Sequence, residues 1–220
     1  MYNYVLFDLD GTLTDPKIGI TSCVQYALKA FDIDEPDLDK LEPFIGPPLK
    51  ESFMEFYGFD EQKALQAVEK YRERFVVTGI FENEIYPGIA DLLKRLKEAG
   101  CKLSIASSKP TGMVERILVH FEIRQYFDCV VGSELDGRRS KKEEVVEEAL
   151  RQMVPRDVAS REVAMVGDRR FDIEGARAFG LTGIGVSFGY AQDGELEQAG
   201  ADYIVDTVGE LGRILLEEGV

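Results

Sequence analysis

Residues 4–12 read YVLFDLDGT, and the interpretation of the rest of the chain starts from this stretch. Its first part, residues 4–9, is rich in aliphatic and aromatic residues, which predicts a short buried β-strand. An apolar strand has no structural need for two carboxylates. Asp8 and Asp10 therefore indicate a functional site at the carboxyl end of this strand.

Five further short runs of β-branched and aliphatic residues predict strands at 102–106, 129–131, 163–166, 182–186 and 203–205. Helical patterns separate most of these runs. One helix is expected between Pro87 and Gly100, and others lie around 145–150 and 170–180. Apolar strands that alternate with helices indicate the α/β class. The predicted fold is a Rossmann-like, doubly wound parallel sheet covered by helices on both faces.

The gap between the first two strands is about 90 residues, too long for one crossover helix. Within it we expect three helices, at 18–31, 50–57 and 61–77. An acidic loop is expected at 32–39 and a Gly-Pro-Pro turn at 44–49. The sequence therefore predicts an α/β core made of residues 1–14 and 85–220, with a small helical domain inserted at 15–84.

The composition excludes several classes of partner. A formal net charge of −15 argues against general binding to nucleic acids or to anionic membrane surfaces, which both rely on Lys and Arg. No apolar run approaches the roughly 18 residues that a membrane span needs. The three cysteines (Cys23, Cys101 and Cys129) are far apart, which favours reduced thiols in a cytoplasmic protein.

Polar residues follow the other predicted strands as well. Ser107 and Ser108 follow the second strand, whereas Asp168 and Asp172 follow the strand at 163–166. In open parallel sheets the carboxyl ends of the strands form the ligand site, so these side chains are expected to converge. Clustered carboxylates need a counter-ion, and hard oxygen ligands suit Mg²⁺. Such a group could perform phosphoryl transfer, with one Asp as nucleophile and a second as general acid and base.

At this point the chain resembles the haloacid dehalogenase-like phosphohydrolases. Asp8-Leu-Asp10-Gly-Thr resembles the first motif of that family, Ser107 the second, Lys142 the third and Gly-Asp168-Arg-Arg-Phe-Asp172 the fourth. The resemblance covers nearly the whole chain and implies a helical cap between the first and second motifs. Within the family, the pattern looks most like the phosphoglycolate phosphatase and 5′-nucleotidase group.

The resemblance also implies roles for individual residues. Asp8 would attack phosphorus, and Asp10 would protonate the leaving oxygen and then deprotonate water. Mg²⁺ would be held by the Asp8 carboxylate, the Asp10 backbone carbonyl and Asp168, while Asp172 would either bind the metal or orient Asp168 and Lys142. The residues expected to contact a small phosphorylated metabolite are Gly11, Thr12, Ser107, Ser108, Lys142 and Gly46.

Some residue assignments stay open. The third motif commonly reads Lys-Pro, whereas this chain has Ser140-Lys141-Lys142-Glu143, so spacing favours Lys142 with Lys141 as the alternative. Lys109 could neutralise the site, contact the cap or simply be solvated. The segment 44–49 with Gly46 could select substrates or form a plain turn between helices.

Other activities are weaker alternatives. A sugar-phosphate mutase could use the same scaffold, and a phospho-accepting signalling domain would also combine an acidic Mg²⁺ pocket with a lysine. The segment Gly185-Val-Ser187-Phe-Gly189 matches the nucleophile elbow of serine hydrolases. The only histidine, His120, precedes Ser187, which is the wrong order for that triad. We expect a monomer or a homodimer.

Overall fold

The computed structural model describes residues 2–216 and contains a six-stranded sheet in which every strand pair is parallel. The strands of this sheet are β1 (Tyr4–Phe7), β4 (Lys102–Pro110), β5 (Cys129–Ser133), β6 (Val163–Gly167), β7 (Thr182–Val186) and β8 (Tyr203–Val205). Their spatial order is β5-β4-β1-β6-β7-β8. The strand order reverses around β1, so the predicted Rossmann-like α/β fold is confirmed.

Helices lie between the strands of this sheet, and one more follows the last strand. They are α4 (Ile89–Glu98), α5 (Thr111–His120), α6 (Lys142–Met153), α7 (Arg170–Ala178), α8 (Glu195–Ala199) and α9 (Val208–Leu216). Helices α6 and α7 pack on each other and on one face of the sheet, where Leu6 and Met165 are fully buried. Because side chains alternate along a strand, Val5 and Phe7 of β1 point to the opposite face and are equally buried.

Four of the expected strand ends differ from the structure, and two of these, in β5 and β6, are extensions by one or two residues to Ser133 and Gly167. The other two differences, in β1 and β4, are larger or bear on the site. β1 ends at Phe7 rather than at residue 9, because the Leu9 carbonyl accepts hydrogen bonds from the Leu13 and Thr14 backbone amides and closes a turn. β4 runs to Pro110 rather than to residue 106, and its register against β5 shifts between Ala106 and Pro110. The departures in β1 and β4 lie where the candidate site residues begin.

The chain separates into two compact units, one made of the chain up to Thr14 and from Ile85 onward, the other of Asp15–Glu84. Two short strands, β2 (Thr14–Asp15) and β3 (Glu84–Ile85), form a two-stranded sheet where the chain passes from one unit to the other. No helix within residues 2–216 combines the length and the apolar character that a membrane crossing requires.

The unit Asp15–Glu84 contains α1 (Lys17–Lys29), α2 (Leu49–Tyr57) and α3 (Glu61–Phe75). A 3-10 helix at Leu38–Phe44 replaces the end of the expected acidic loop and the start of the expected turn, because the Asp37 side chain accepts a hydrogen bond from the Asp39 amide and caps it. Phe44 then packs edge-on against Phe53, with ring centroids 5.0 Å apart. Aromatic packing therefore supplies much of the core of this unit.

Candidate active site

The strand order brings three candidate side chains together at one edge of the sheet. β4, β1 and β6 are neighbours, and their carboxyl ends carry Ser107, Asp8 and Asp168 respectively. The fourth contributor is Lys142, the first residue of α6, which packs against β4. Residues far apart in sequence thus meet because parallel strands end on the same side.

Three carboxylates form the centre of this site. One oxygen from each of Asp8, Asp168 and Asp172 lies within 4.8 Å of the others, and the three residues are 4%, 0% and 1% exposed. Burial raises the pKa of Asp168 well above its ordinary value, and the charges of Asp172 and Asp8 raise it further. Burial likewise raises the pKa of Asp172, although Lys142 opposes the shift. Without a cation, the full negative charge of this cluster is costly.

Lys142 supplies one positive charge to the cluster. Its Nζ lies 2.8 Å from Asp8 Oδ1 and 2.7 Å from Asp172 Oδ1, and it donates a hydrogen bond to the Ala106 carbonyl at 3.0 Å. Burial alone would lower the pKa of Lys142, but the carboxylates of Asp172 and Asp8 raise it above its ordinary value. Lys141, in contrast, is exposed. The geometry therefore places Lys142 in the carboxylate cluster.

The cluster fits a hard divalent cation. Three buried carboxylates face the Lys142 ammonium group, so negative charge is left over that Mg²⁺ would balance, and oxygen is the preferred ligand atom of this ion. Asp168 is already held in one orientation. The Tyr190 amide donates to its Oδ2 at 2.8 Å, and the Thr12 hydroxyl donates to its Oδ1 at 3.2 Å. Thr12, which the sequence predicts as a substrate contact, thus also orients a carboxylate.

Glycines allow the backbone to approach these carboxylates closely. A Cβ atom at Gly11 would lie 2.1 Å from Asp168 Oδ2, and Gly11 also has a φ of +81°. A Cβ atom at Gly189 would lie 2.4 Å from Asp168 Cβ, and one at Gly167 would lie 2.0 Å from Asp172 Cγ. The second glycine of the Gly185-x-Ser187-x-Gly189 segment is therefore required because a side chain at Gly189 would collide with Asp168.

Asp10 stands apart from the three-carboxylate cluster in its contacts. The Nζ of Lys109 lies 2.8 Å from Asp10 Oδ1 and 2.6 Å from Oδ2. Both side chains are almost completely buried, at 9% and 8% exposure. Burial raises the pKa of Asp10, while Lys109 opposes the shift. The sequence alone does not predict this pairing. The feature that points to Lys109 as a site residue is its position two residues after Ser107.

The remaining predicted residues are placed as follows. Ser107 is buried, and its Oγ accepts a hydrogen bond from the Lys109 amide at 3.3 Å. The Ser108 carbonyl accepts a hydrogen bond from the Ser133 hydroxyl at 2.8 Å. Gly46 belongs to the unit Asp15–Glu84, where it adopts a φ of +104°. The first two residues thus shape the strand end that carries Lys109.

The serine-hydrolase alternative has no support in the geometry. The Ser187 hydroxyl lies 2.5 Å from Asp206 Oδ1 and 3.2 Å from the Val205 carbonyl. His120 lies at the end of α5, where its ring packs edge-on against Phe121. Ser187 therefore bonds the end of β8 rather than a catalytic base.

Known proteins share sequence and structure with this chain. Residues 5–186 match the family model described as haloacid dehalogenase-like hydrolase. A 5′-nucleotidase from Pseudomonas aeruginosa is 48% identical over 89% of this chain and 87% of its own. The tyrosine-protein kinase PtkA of Mycobacterium tuberculosis is 35% identical over 96% of this chain and 72% of its own. A crystal structure described as a predicted phosphatase from Clostridium acetobutylicum superimposes with a TM-score of 0.93, at 49% identity, covering 98% of this chain and 99% of that one.

Proposed function

Because the chain belongs to the haloacid dehalogenase-like hydrolase family, and is an enzyme of its phosphatase class, we propose that it hydrolyses a small soluble phosphomonoester with Mg²⁺. The reaction would pass through an aspartyl-phosphate on Asp8. The observation that carries this proposal is the buried cluster of Asp8, Asp168 and Asp172 with the Lys142 ammonium in contact with two of its members.

Asp8 and Asp10 carry the bond-making and proton-transfer steps of this proposal. A carboxylate oxygen of Asp8 attacks phosphorus, the bond from phosphorus to the leaving oxygen breaks, and the proton on Asp10 passes to that oxygen. Water then attacks the phosphorus of the aspartyl-phosphate and gives its proton to Asp10, which releases inorganic phosphate and restores Asp8.

The other groups hold charge and orientation. Lys142 and the Ser107 hydroxyl would bind phosphoryl oxygens while negative charge moves from the attacking to the leaving oxygen. Asp8, Asp168 and Asp172, with the Asp10 backbone carbonyl, would hold Mg²⁺, which when bound neutralises phosphoryl charge. The fixed orientation of Asp168 by Thr12 and the Tyr190 amide supports this assignment.

The names of two relatives support the proposed substrate class. The relative from Pseudomonas aeruginosa carries the name 5′-nucleotidase, and a more distant one, 24% identical, carries the name phosphoglycolate phosphatase. We therefore expect a nucleoside 5′-monophosphate or a small organic phosphate such as phosphoglycolate. The unit Asp15–Glu84, which includes Gly46, would act as the helical cap that selects among them.

A phosphate-release assay tests the proposal. The purified protein is given nucleoside monophosphates, phosphoglycolate, sugar phosphates and p-nitrophenyl phosphate, with MgCl₂ or with EDTA. We expect turnover only with metal, and Asp8→Asn should abolish it because an amide is a poor nucleophile. Asp193→Asn, an exposed position, serves as the matched control and should be unaffected.

The same assay distinguishes the alternatives. Full turnover in EDTA or by Asp8→Asn would contradict the proposal. A rearranged sugar phosphate without release of inorganic phosphate would instead indicate a mutase. A stable phosphoprotein without turnover would indicate a phospho-accepting signalling domain.

A further inference from the structure

The ion pair between Lys109 and Asp10 is buried beside the site, and the chemistry proposed above gives Lys109 no role. The ammonium lies within hydrogen-bond distance of both carboxylate oxygens, at 2.8 Å and 2.6 Å, and both side chains are at least nine-tenths buried. An exposed ion pair would restrict the carboxylate only weakly. A buried pair in which the ammonium contacts both oxygens fixes the plane of the carboxylate.

The backbone that carries Lys109 is itself fixed. The register of β4 against β5 shifts between Ala106 and Pro110, so the chain leaves the regular ladder just before this residue. The Lys109 amide donates to Ser107 Oγ, and Ser133 holds the neighbouring Ser108 carbonyl. A Cβ atom at Gly132 would lie 2.3 Å from the Lys109 carbonyl oxygen, so only glycine permits this approach of β5.

The strand end beyond this register shift therefore presents the Lys109 ammonium to the Asp10 carboxylate. Lys142 contacts two carboxylates, those of Asp8 and Asp172, and Lys109 contacts the carboxylate of Asp10. The two catalytic tasks of the proposed mechanism, attack and proton transfer, are thereby associated with separate cations.

We propose that Lys109 is a positioning residue that holds the Asp10 carboxyl group where the leaving oxygen of the substrate receives its proton. This inference rests on the proposed function, since it presumes that Asp10 acts as the general acid. A carboxyl group at a strand-end turn could otherwise rotate about its side-chain bonds, and misplacement by about 1 Å can cost roughly a hundredfold in rate.

Leaving groups of different basicity separate this role from phosphate binding. Protonation of the leaving oxygen matters greatly for an alkoxide and little for p-nitrophenolate, which is stable without a proton. A lysine that only binds the phosphoryl group would affect all phosphomonoesters equally. The value of kcat/KM is the suitable measure because it reports the steps up to transfer of the phosphoryl group from the substrate.

The experiment measures kcat/KM for an alkyl phosphate and for a series of aryl phosphates of graded phenol pKa, at saturating MgCl₂. Lys109→Met removes the ammonium and retains most of the apolar stem, whereas Lys109→Arg retains donors toward Asp10. Lys94→Met on α4, where the side chain is 62% exposed, is the matched control. Circular dichroism and the thermal midpoint establish that each variant is folded.

We expect Lys109→Met to lower kcat/KM for the alkyl phosphate by about 30- to 100-fold and for p-nitrophenyl phosphate by less than about threefold. The dependence of the rate on phenol pKa should become steeper, and Lys109→Arg should recover part of the original slope. Equal losses across the series, an unchanged slope, or no recovery with Lys109→Arg would overturn the inference. If Lys109→Met does not fold, Lys109→Gln is judged by the same slope.

Failure of the proposed function would look different. If the wild-type protein and the Lys94→Met control hydrolyse none of these esters, the phosphatase proposal itself fails. If both are active and Lys109→Met behaves like the control, the phosphatase proposal stands and only the role of Lys109 is lost.

Discussion

Lys142 is the residue whose loss should change the electrostatics of the site most. Its ammonium is buried among Asp8, Asp172 and the Ala106 carbonyl. In EDTA, Lys142→Met should lower the free energy of unfolding by about 3 kcal/mol, because the buried carboxylate cluster would lose the ammonium that contacts two of its members. Urea titration measures this loss.

Magnesium provides the control for this prediction. A cation that binds the native state stabilises it in proportion to its affinity, and removal of the competing ammonium strengthens that affinity. Addition of MgCl₂ should therefore raise the unfolding free energy of Lys142→Met by more than that of the wild type. An equal response of the two proteins would contradict the assignment of the cluster as a metal site.

Gly11 should be intolerant of any side chain. Alanine at this position would place Cβ 2.1 Å from Asp168 Oδ2 and would have to adopt a φ of +81°. Gly11→Ala should therefore displace Asp168 and raise the MgCl₂ concentration for half-maximal activity by about tenfold, a shift of roughly 1.4 kcal/mol in binding. A metal titration of the phosphatase rate measures this.

Gly112→Ala is the matched control for Gly11→Ala. Gly112 lies in α5, and a Cβ atom there would meet nothing within 4 Å. Because alanine is the better helix former, this variant should keep the wild-type metal requirement and gain about 0.5–1 kcal/mol of stability. A loss of metal affinity in both variants would show that the effect is not specific to Asp168.

For single residues, the sequence predicts which side chains belong to the site more reliably than it predicts the hydrogen bonds and ion pairs between them. The four aspartates could be selected because they follow predicted strands, and the spacing of the third motif favoured Lys142 over Lys141. The side-chain hydrogen bond from Thr12 to Asp168 and the pairing of Lys109 with Asp10 depend on long-range packing, at sequence separations of 156 and 99 residues. No local pattern encodes such contacts.

At the scale of elements, Asp128 joins the beginning of β4 to α4. Its Oδ2 accepts hydrogen bonds from Lys97 at 2.6 Å and from the Leu103 amide at 3.0 Å, and its Oδ1 accepts one from Lys102 at 3.0 Å. Burial alone would raise the pKa of Asp128, but these donors lower it from 3.8 to about 2. The ionised carboxylate therefore stabilises the fold.

The pH dependence of this contribution has a definite sign. Because the folded-state pKa lies below the unfolded one, the stabilisation is present above about pH 4 and is lost as the pH falls toward 2. Asp128→Asn should cost about 1–2 kcal/mol at pH 6, and the difference from wild type should shrink as the medium is acidified. Urea unfolding at several pH values checks this. A difference that grows on acidification would contradict the assignment.

The elements themselves were predictable where periodicity is strong. All six strands of the sheet were located from apolar runs, because buried parallel strands are continuously hydrophobic. Their ends were not, since turn hydrogen bonds end β1 at Phe7 and a register shift extends β4 to Pro110. The 3-10 helix at Leu38–Phe44 was missed because short helices of that type have weak sequence signals.

At the scale of the whole molecule, the net charge of −15 opposes the approach of an anionic substrate. Salt screens this long-range repulsion, whereas the short contacts within the buried site are screened much less. At saturating MgCl₂, kcat/KM for a dianionic phosphate ester should rise about two- to threefold between roughly 10 and 150 mM NaCl. Steady-state kinetics with a neutral-salt series measures this. A steep decrease would indicate instead that local positive charge dominates the encounter.

Chemical trapping shows whether Asp8 becomes phosphorylated during turnover. The protein is mixed with substrate and MgCl₂, the reaction is quenched, and borohydride then reduces the acyl phosphate to an alcohol. Peptide mass spectrometry should find homoserine in place of Asp8 in the substrate-treated sample and unmodified Asp8 without substrate. Full turnover with no reduction at Asp8, or reduction at another carboxylate, would contradict the account.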